Sequence, residues 1–226
     1  MQFFLCICIL MCFSACQQAE QKLESKKGQN ETDSIIIDSN YTFDEAIEGS
    51  NAPKHIIDQL QLITVHYYSF DGKIHRGQLL VNRVIAADLV CIFRDLLQHK
   101  FPIDKVIPIV KYGWDDEKSM NDNNTSSFCY RNIAYSKHAL GLAIDMNPMQ
   151  NPIRWRDGYT CFRKNKPEAA VYNPTAPGTI VENGIVVELF KAKNFLWGRY
   201  FKRNNDDHHF EKKAPQSYFS AEADSF

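Results

Sequence analysis

Residue types that bind zinc recur in two short segments of this 226-residue chain. The first segment contains His138 and Asp145, and the second, Asp206-Asp-His-His-Phe-Glu211, contains two adjacent histidines. Two histidines and one aspartate supply three ligands, and no fourth protein donor is obvious. Three protein ligands with an open position are typical of a catalytic zinc site rather than a structural one.

The position of Asp206 favours one of the two adjacent histidines as the third ligand. Asp206 and His209 are three residues apart, so a turn or a short helix brings both side chains to the same side. His209 can then bind the metal while Asp206 holds the metal-bound water and accepts its proton. If His208 were the ligand, Asn205 would take the place of Asp206, and an amide cannot act as a base. His208 either lines the site, where it could polarise a developing oxyanion, or is simply exposed.

The first segment must contain a bend. His138 and Asp145 are seven residues apart, and residues at an odd offset on one strand point to opposite faces of the sheet. Gly141 gives the backbone the freedom to turn between them. Ala143 is small enough to pack beneath the site.

The elements that position these residues are predicted from hydrophobic periodicity and turn signals. Strands and helices do not alternate in regular βαβ units, so we expect an α+β domain with a mainly antiparallel sheet and flanking helices. We predict a hairpin of strands 62–68 and 77–81, a helix from its cap at Asn82 to Gln98, strands over 107–112 and 140–146, and a helix over 185–193.

The N-terminal segment is typical of an export signal. An apolar run from Phe3 to Phe13 is too short to span a bilayer and is followed by Ser14-Ala-Cys16. Small residues before a cysteine resemble a bacterial lipobox, in which the cysteine is acylated, whereas plain secretion with cleavage nearby is the alternative. We predict a signal peptide over 1–15, lipidated Cys16 with a flexible linker over 16–50, a zinc-binding domain over 51–213 and a C-terminal tail over 214–226.

Charge and cysteine content limit the partners and the compartment. The net charge is −1, from 26 basic and 27 acidic side chains, so no broad basic field is available to bind nucleic acid. We expect a monomer. If the first four cysteines leave or are acylated, Cys91, Cys129 and Cys161 remain, and a Cys129–Cys161 disulfide is possible in an oxidising compartment.

A long polar segment, Tyr112 to Arg131, precedes the first metal segment. Loops of this length are usually functional or disordered, and the aromatic residues in this one argue against disorder. Arg131, at its end, could hold a substrate carboxylate through a bidentate contact, and a surface ion pair is the alternative.

Together these residues resemble a known family. The patterns that carry the resemblance are Ser136-x-His138-x-x-Gly141-x-Ala143-x-Asp145 and Asp206-x-x-His209-Phe-Glu211. They resemble the zinc D-alanyl-D-alanine carboxypeptidases and their L-alanyl-D-glutamate endopeptidase relatives, which share a fold with the signalling domain of hedgehog proteins. The resemblance extends from about Pro53 to Glu211. It departs from the family at Arg199-Tyr200, where glycine and tryptophan are usual.

The resemblance implies a zinc peptidase that hydrolyses the stem peptides of peptidoglycan. It implies Zn²⁺ as the cofactor, a lipid-anchored enzyme facing the periplasm, and, because Gln17 follows Cys16, attachment to the outer membrane. The implied roles are zinc ligands for His138, Asp145 and His209, general base for Asp206, carboxylate anchor for Arg131 and supporting polar contact for Ser136.

A second class of function has to be weighed against an enzyme. A non-catalytic cell-wall-binding or signalling module of the same fold could keep the three ligands and dispense with Asp206 and Arg131. Both residues are present, which favours catalysis.

Overall fold

Helices and short strands surround one long hairpin over residues 60–82. The computed structural model describes residues 34–131, 136–159 and 163–213. The helices described there are α1 (Phe43–Ile47), α2 (Lys54–Ile57), α3 (Arg83–Gln98), α4 (Asp116–Asn121) and α5 (Ile185–Ala192). The strands are β1 (Ile36–Ile37), β2 (Leu60–Tyr68), β3 (Ile74–Asn82), β4 (Lys105–Val106), β5 (Asn124–Thr125), β6 (Ala143–Asp145), β7 (Ile153–Trp155), β8 (Leu196–Trp197), β9 (Asn204–Asp206) and β10 (His209–Glu211).

The predicted hairpin and its helix are confirmed. β2 and β3 pair antiparallel from Leu60 opposite Asn82 to Tyr68 opposite Ile74. The Asn82 side chain accepts a hydrogen bond from the Val84 amide and caps α3. The apolar stripe of α3 is buried, and it consists of Ile85, Ala86, Leu89, Ile92, Phe93 and Leu96.

A second sheet, with strand order β6-β10-β8, shares its core with the hairpin. Phe210 of β10 stacks on Phe190 of α5 with 4.1 Å between ring centroids. Because both rings are almost completely buried, this contact joins α5 to the sheet. The helix predicted over 185–193 is confirmed, with the bounds Ile185–Ala192.

The α+β class is confirmed, and the sheets are mainly antiparallel. Two of the pairs, β1 with β3 and β4 with β5, are parallel. The strand predicted over 107–112 is wrong, because pairing ends at Val106 and Ile109–Tyr112 is a 3₁₀ helix. Pro108 has no amide hydrogen to continue a ladder. The strand predicted over 140–146 is shorter, since His138–Leu140 forms a 3₁₀ turn before β6.

Ordered structure begins before the domain boundary predicted at residue 51. β1 and α1 lie within the predicted linker, so the linker prediction is wrong for that part. A capping box stabilises the start of α1, since Thr42 and Glu45 each accept a hydrogen bond from the other's amide. In addition, Asp38 accepts hydrogen bonds from Tyr67 and from the His75 ring, which ties this segment to the hairpin.

Several predictions concern residues that the structure does not describe. The signal peptide, Cys16, the first part of the linker and the C-terminal tail lie outside the described residues, as does Cys161. Cys129 is a buried free thiol whose pKa is raised to about 12 by burial. Within the described ranges, no helix is long and apolar enough to cross a membrane.

The predicted polar loop between Tyr112 and Arg131 contains secondary structure. Asp115 caps α4 by accepting a hydrogen bond from the Lys118 amide, and β5 follows at Asn124–Thr125. β5 pairs with β4, so this segment is attached to the first half of the fold.

Gly141 provides a test of the bend that precedes β6. Its φ is +65°, and an added Cβ would lie 2.7 Å from the Asn82 amide nitrogen and 2.9 Å from Leu60. Gly113 has a similar φ of +62° with nothing within 4 Å. We expect Gly113→Ala to lower the free energy of unfolding by about 1–2 kcal/mol, the cost of a left-handed residue, and Gly141→Ala to lower it by more. Urea denaturation measures both, and equal losses would contradict the packing argument.

Candidate metal centre

Three buried side chains from the two predicted segments meet at one point. His138 Nε2 lies 3.1 Å from Asp145 Oδ1 and 3.0 Å from His209 Nδ1. His209 Nδ1 lies 2.9 Å from Asp145 Oδ1. The structure therefore brings together the three residues that the sequence predicts as zinc ligands, each offering one ligand atom.

Strand pairing and the predicted bend place these side chains. Asp145 ends β6 and His209 begins β10, and the two residues are directly opposite each other in an antiparallel pair. Side chains of opposed residues lie on the same face of a sheet, with Cβ atoms about 5 Å apart. His138 lies on the 3₁₀ turn, and Gly141 ends that turn in a left-handed conformation.

Hydrogen bonds determine which nitrogen of each histidine is available. His138 Nδ1 lies 2.6 Å from the Ser127 carbonyl oxygen, and His209 Nε2 lies 3.0 Å from Glu211 Oε2. Since a carbonyl and a carboxylate only accept, each of these nitrogens carries the proton and donates it. In the neutral imidazoles, the lone pairs of His138 Nε2 and His209 Nδ1 then face Asp145, as metal binding requires.

Glu211 is a further candidate for a functional role, and the sequence analysis quoted it only as part of a motif. The sequence contains a signal for this role, because the side chains of residues two apart on a strand lie on the same face of the sheet. Glu211 therefore lies on the same face as the ligand His209.

The donor atoms fit a zinc ion. Tetrahedral coordination with bonds of about 2.0–2.1 Å separates ligand atoms by about 3.3 Å, close to the distances between these donors. Burial alone would lower the pKa of His209, but its hydrogen bonds to Asp145 and Glu211 raise that pKa to about 10. Burial likewise opposes ionisation of Asp145, yet the neighbouring imidazoles hold its pKa well below the usual range. This electrostatic environment favours a cation.

Asp206 and His208 lie beside the three ligands. His208 is buried, with its Nδ1 donating to the Asn151 carbonyl oxygen at 2.7 Å and its Nε2 3.0 Å from Asp206 Oδ1. The alternative of an exposed His208 is therefore wrong. Burial raises the pKa of the Asp206 carboxyl above its usual value, which makes it a better proton acceptor.

A buried ion-pair cluster holds the turn between Asp206 and His209. Asp207 is fully buried and pairs with Arg154 Nε at 2.7 Å and with Arg199 Nη1 at 2.8 Å. Both guanidinium groups also lie over the Tyr172 ring, at 4.3 and 5.1 Å from its centroid. Arg199, at the position where the sequence departs from the family, thus supports the turn that carries the ligand. Sequence reasoning missed Asp207 and Arg154.

Gly198 allows the chain before Arg199 to approach this turn closely. An added Cβ at Gly198 would lie 2.8 Å from both the Cβ and the carbonyl oxygen of Asp206, and 3.1 Å from the His209 Cβ. A side chain there would displace the carboxylate beside the metal centre. Trp197 adds a hydrogen bond from its indole nitrogen to the Asp207 carbonyl oxygen at 2.9 Å.

One cavity of about 390 Å³ contains all the predicted site residues of the domain. Its lining includes Arg131, Ser136, His138, Asp145, Asp206, His208 and His209. Arg131 forms the ion pair that was one of its two predicted roles, with Asp116 Oδ2 at 3.0 Å. It also lines the cavity, and its role as a carboxylate anchor stays a prediction. Its Nε is buried without a hydrogen-bond partner among the described residues.

Comparison with known proteins supports the resemblance found in the sequence. The family model described as D-alanyl-D-alanine carboxypeptidase matches residues 131–212. This range includes the three candidate ligands, Asp206 and Arg131. Neither the search of curated proteins nor the search of solved structures gave a match.

We expect Asp207→Asn to destabilise the protein strongly. The substitution leaves two guanidinium groups without their buried carboxylate, and breaking a buried pair costs about 3–5 kcal/mol. The control is Asp58→Asn, which removes an exposed pair with Lys54 and should change stability by about 0.5 kcal/mol or less. Chemical denaturation measures both, and similar losses would contradict the role of Asp207.

Glu211→Ala should weaken zinc binding by about 10- to 100-fold, the range for loss of a group that orients a metal ligand. Competition with a chromogenic chelator measures the affinity. Glu188 in α5 lies outside the cavity, so Glu188→Ala serves as a matched control. Unchanged zinc affinity in Glu211→Ala would mean that His209 does not depend on Glu211.

Proposed function

We propose that this protein, whose residues 131–212 match the family model described as D-alanyl-D-alanine carboxypeptidase, is a zinc metallopeptidase that hydrolyses peptidoglycan stem peptides. The observation that carries the proposal is the single cavity in which three ligand atoms, the Asp206 carboxylate and the Arg131 guanidinium converge. His138, Asp145 and His209 would hold a zinc ion, which would supply Lewis acidity to the hydrolysis.

Asp206 is the proposed general base. It lies next to the ligands without being one of them, so its carboxylate is free to orient a water and accept its proton. The same carboxyl group then passes the proton to the leaving amine. His208 lines the same cavity, with its Nε2 3.0 Å from Asp206 Oδ1, and is the proposed group that polarises a developing oxyanion.

Arg131 is the proposed anchor for a substrate carboxylate. Its buried Nε has no partner among the described residues, and a carboxylate is the natural acceptor for such a donor. Ser136 lines the same cavity and adds a polar contact. A peptide held in this way has its carboxyl-terminal end oriented relative to the metal centre.

Two bonds in the stem peptide are candidates for cleavage. A terminal carboxylate on Arg131 suits removal of terminal D-alanine, whereas aspartate rather than glutamate at position 206 is closer to the L-alanyl-D-glutamate endopeptidases. A non-catalytic binding or signalling module would use the three ligands but would need no general base at Asp206.

The proposal includes a location and a fold. An exported protein with a signal peptide over 1–15 and an acylated Cys16 would face the periplasm from the outer membrane, where its substrate lies. The apolar run before Cys16 supports this placement. We further propose that the domain is a monomer with the hedgehog and D-alanyl-D-alanine peptidase type of fold.

Metal analysis and digestion of purified muropeptides test the function. We expect about one zinc per chain, loss of hydrolysis in a chelator and recovery on adding zinc. Mass spectrometry of the products separates the two bonds, because loss of terminal D-alanine and cleavage between L-alanine and D-glutamate give different masses. Full activity of metal-free protein would refute the zinc mechanism, and intact muropeptides would refute the substrate class.

Asp206→Ala should keep its zinc and lose about two to four orders of magnitude in hydrolysis rate, the range for loss of a general base. Zinc content and rate are measured on the same preparation. Asp157→Ala is the matched control, since Asp157 is exposed and lies outside the cavity. An unchanged rate in Asp206→Ala would assign the base to another residue.

A further inference from the structure

A second group of cations lines the metal cavity. Arg163 and Lys166 both border it, together with Trp155. The same three residues also border a neighbouring cavity of about 360 Å³. They therefore stand between the metal centre and the next recess along the surface.

Strand pairing puts Lys166 on the same face as Asp206. Lys166 and Ile153 exchange two backbone hydrogen bonds of 2.7 and 3.1 Å, and Ile153 is directly opposite Asp206 in the β7–β9 pair. Directly opposed residues share a face of a sheet, so the three side chains point the same way. Two strand spacings separate Lys166 from Asp206, which is about 10 Å or about three residues of extended peptide.

The segment that carries both cations is attached to β7 at several points. The Trp155 indole nitrogen donates to the Lys164 carbonyl oxygen at 2.9 Å. The Arg163 guanidinium lies over the Trp155 ring, 4.5 Å from its centroid. Stacking leaves the edge of a guanidinium available for hydrogen bonds, so Trp155 orients Arg163 without neutralising it.

Neither cation is neutralised by another described residue. Across residues 34–131, 136–159 and 163–213, Arg163 and Lys166 form no ion pair, whereas Lys164 between them pairs with Glu168. Two other cations around the cavities are paired, since Arg131 pairs with Asp116 and Lys164 with Glu168. Two unpaired charges beside one aromatic ring can bind an anion.

We propose that Arg163, Lys166 and Trp155 form a subsite for a second carboxylate of the substrate, within about three extended residues of the scissile bond. The inference rests on the proposed function, in which Arg131 holds the terminal carboxylate. The subsite selects acidic peptides that bear a free side-chain carboxylate over those in which it is amidated. Trp155 supplies the apolar floor against which the peptide chain packs.

Binding of matched peptides tests the subsite. The probes are synthetic stem peptides with a free terminal carboxylate, made in pairs that differ only by amidation of the D-glutamyl carboxylate or of the side-chain carboxylate of the diamino acid. Titration calorimetry with zinc-loaded Asp206→Ala protein measures affinity without hydrolysis. We expect the free acid of at least one pair to bind about 10- to 100-fold more tightly, the effect of one charge-assisted hydrogen bond.

Variants assign the preference to these side chains. In Arg163→Gln/Lys166→Gln the acid should bind no more tightly than its amide. The control, Lys111→Gln/Lys191→Gln, removes two exposed lysines that border neither cavity and should keep the preference. Equal affinities for acid and amide in the parent protein, or a preference that survives in the double variant, would overturn the subsite.

Hydrolysis by the unsubstituted protein separates this inference from the proposed function. Cleavage of acid and amide peptides at equal kcat/KM would refute the subsite and leave the peptidase standing. Acid-selective binding without any cleavage would support the subsite and count against the peptidase. If neither form binds or is cleaved, both proposals fail.

Discussion

The antiparallel register of β6 and β10 is the constraint on which the metal centre depends. It places Asp145 directly opposite His209, so two of the three ligand atoms lie 2.9 Å apart before the third is considered. A shift of one residue would turn one of the two side chains to the other face. The buried Phe210 between His209 and Glu211 opposes such a shift, because it would have to leave its stack with Phe190.

Buried ion pairs of Asp207 support the turn before β10 and therefore the register of β10 with β6. Asp207 points away from the metal ligands and binds Arg154 and Arg199, whereas its neighbours Asp206 and His208 border the cavity. The ion-paired carboxylate of Asp207 and the cavity-lining carboxylate of Asp206, the proposed base, are thus adjacent in the chain. Gly198 packs against Asp206 on the remaining side, which leaves that carboxylate little freedom to move.

Charges of both signs line the cavity. The carboxylates are Asp116, Asp145, Asp206 and Glu211, and the cationic side chains are Arg131, Lys137, Arg163 and Lys166. A cation beside the carboxylates and anionic groups beside the cationic side chains complement this pattern. The proposed substrate, a peptide with more than one carboxylate drawn toward a zinc ion, has the same distribution of charge.

How much of the site could be predicted depended on which interactions are local in the sequence. His138, Asp145, Asp206 and His209 were predicted as candidate ligands and a candidate base from their residue types and spacing. The hairpin and α3 were predicted because their apolar patterns extend over many residues. The capping box at Thr42 and the alternation that places Glu211 beside His209 were present in the sequence and overlooked. By itself the sequence therefore indicated the candidate ligand set and determined the main elements. Only the tertiary structure decided the tautomer of each ligand, the pairing of Asp207 with two arginines and the place of Arg163 and Lys166 beside the cavity, because these depend on contacts between residues far apart in the chain.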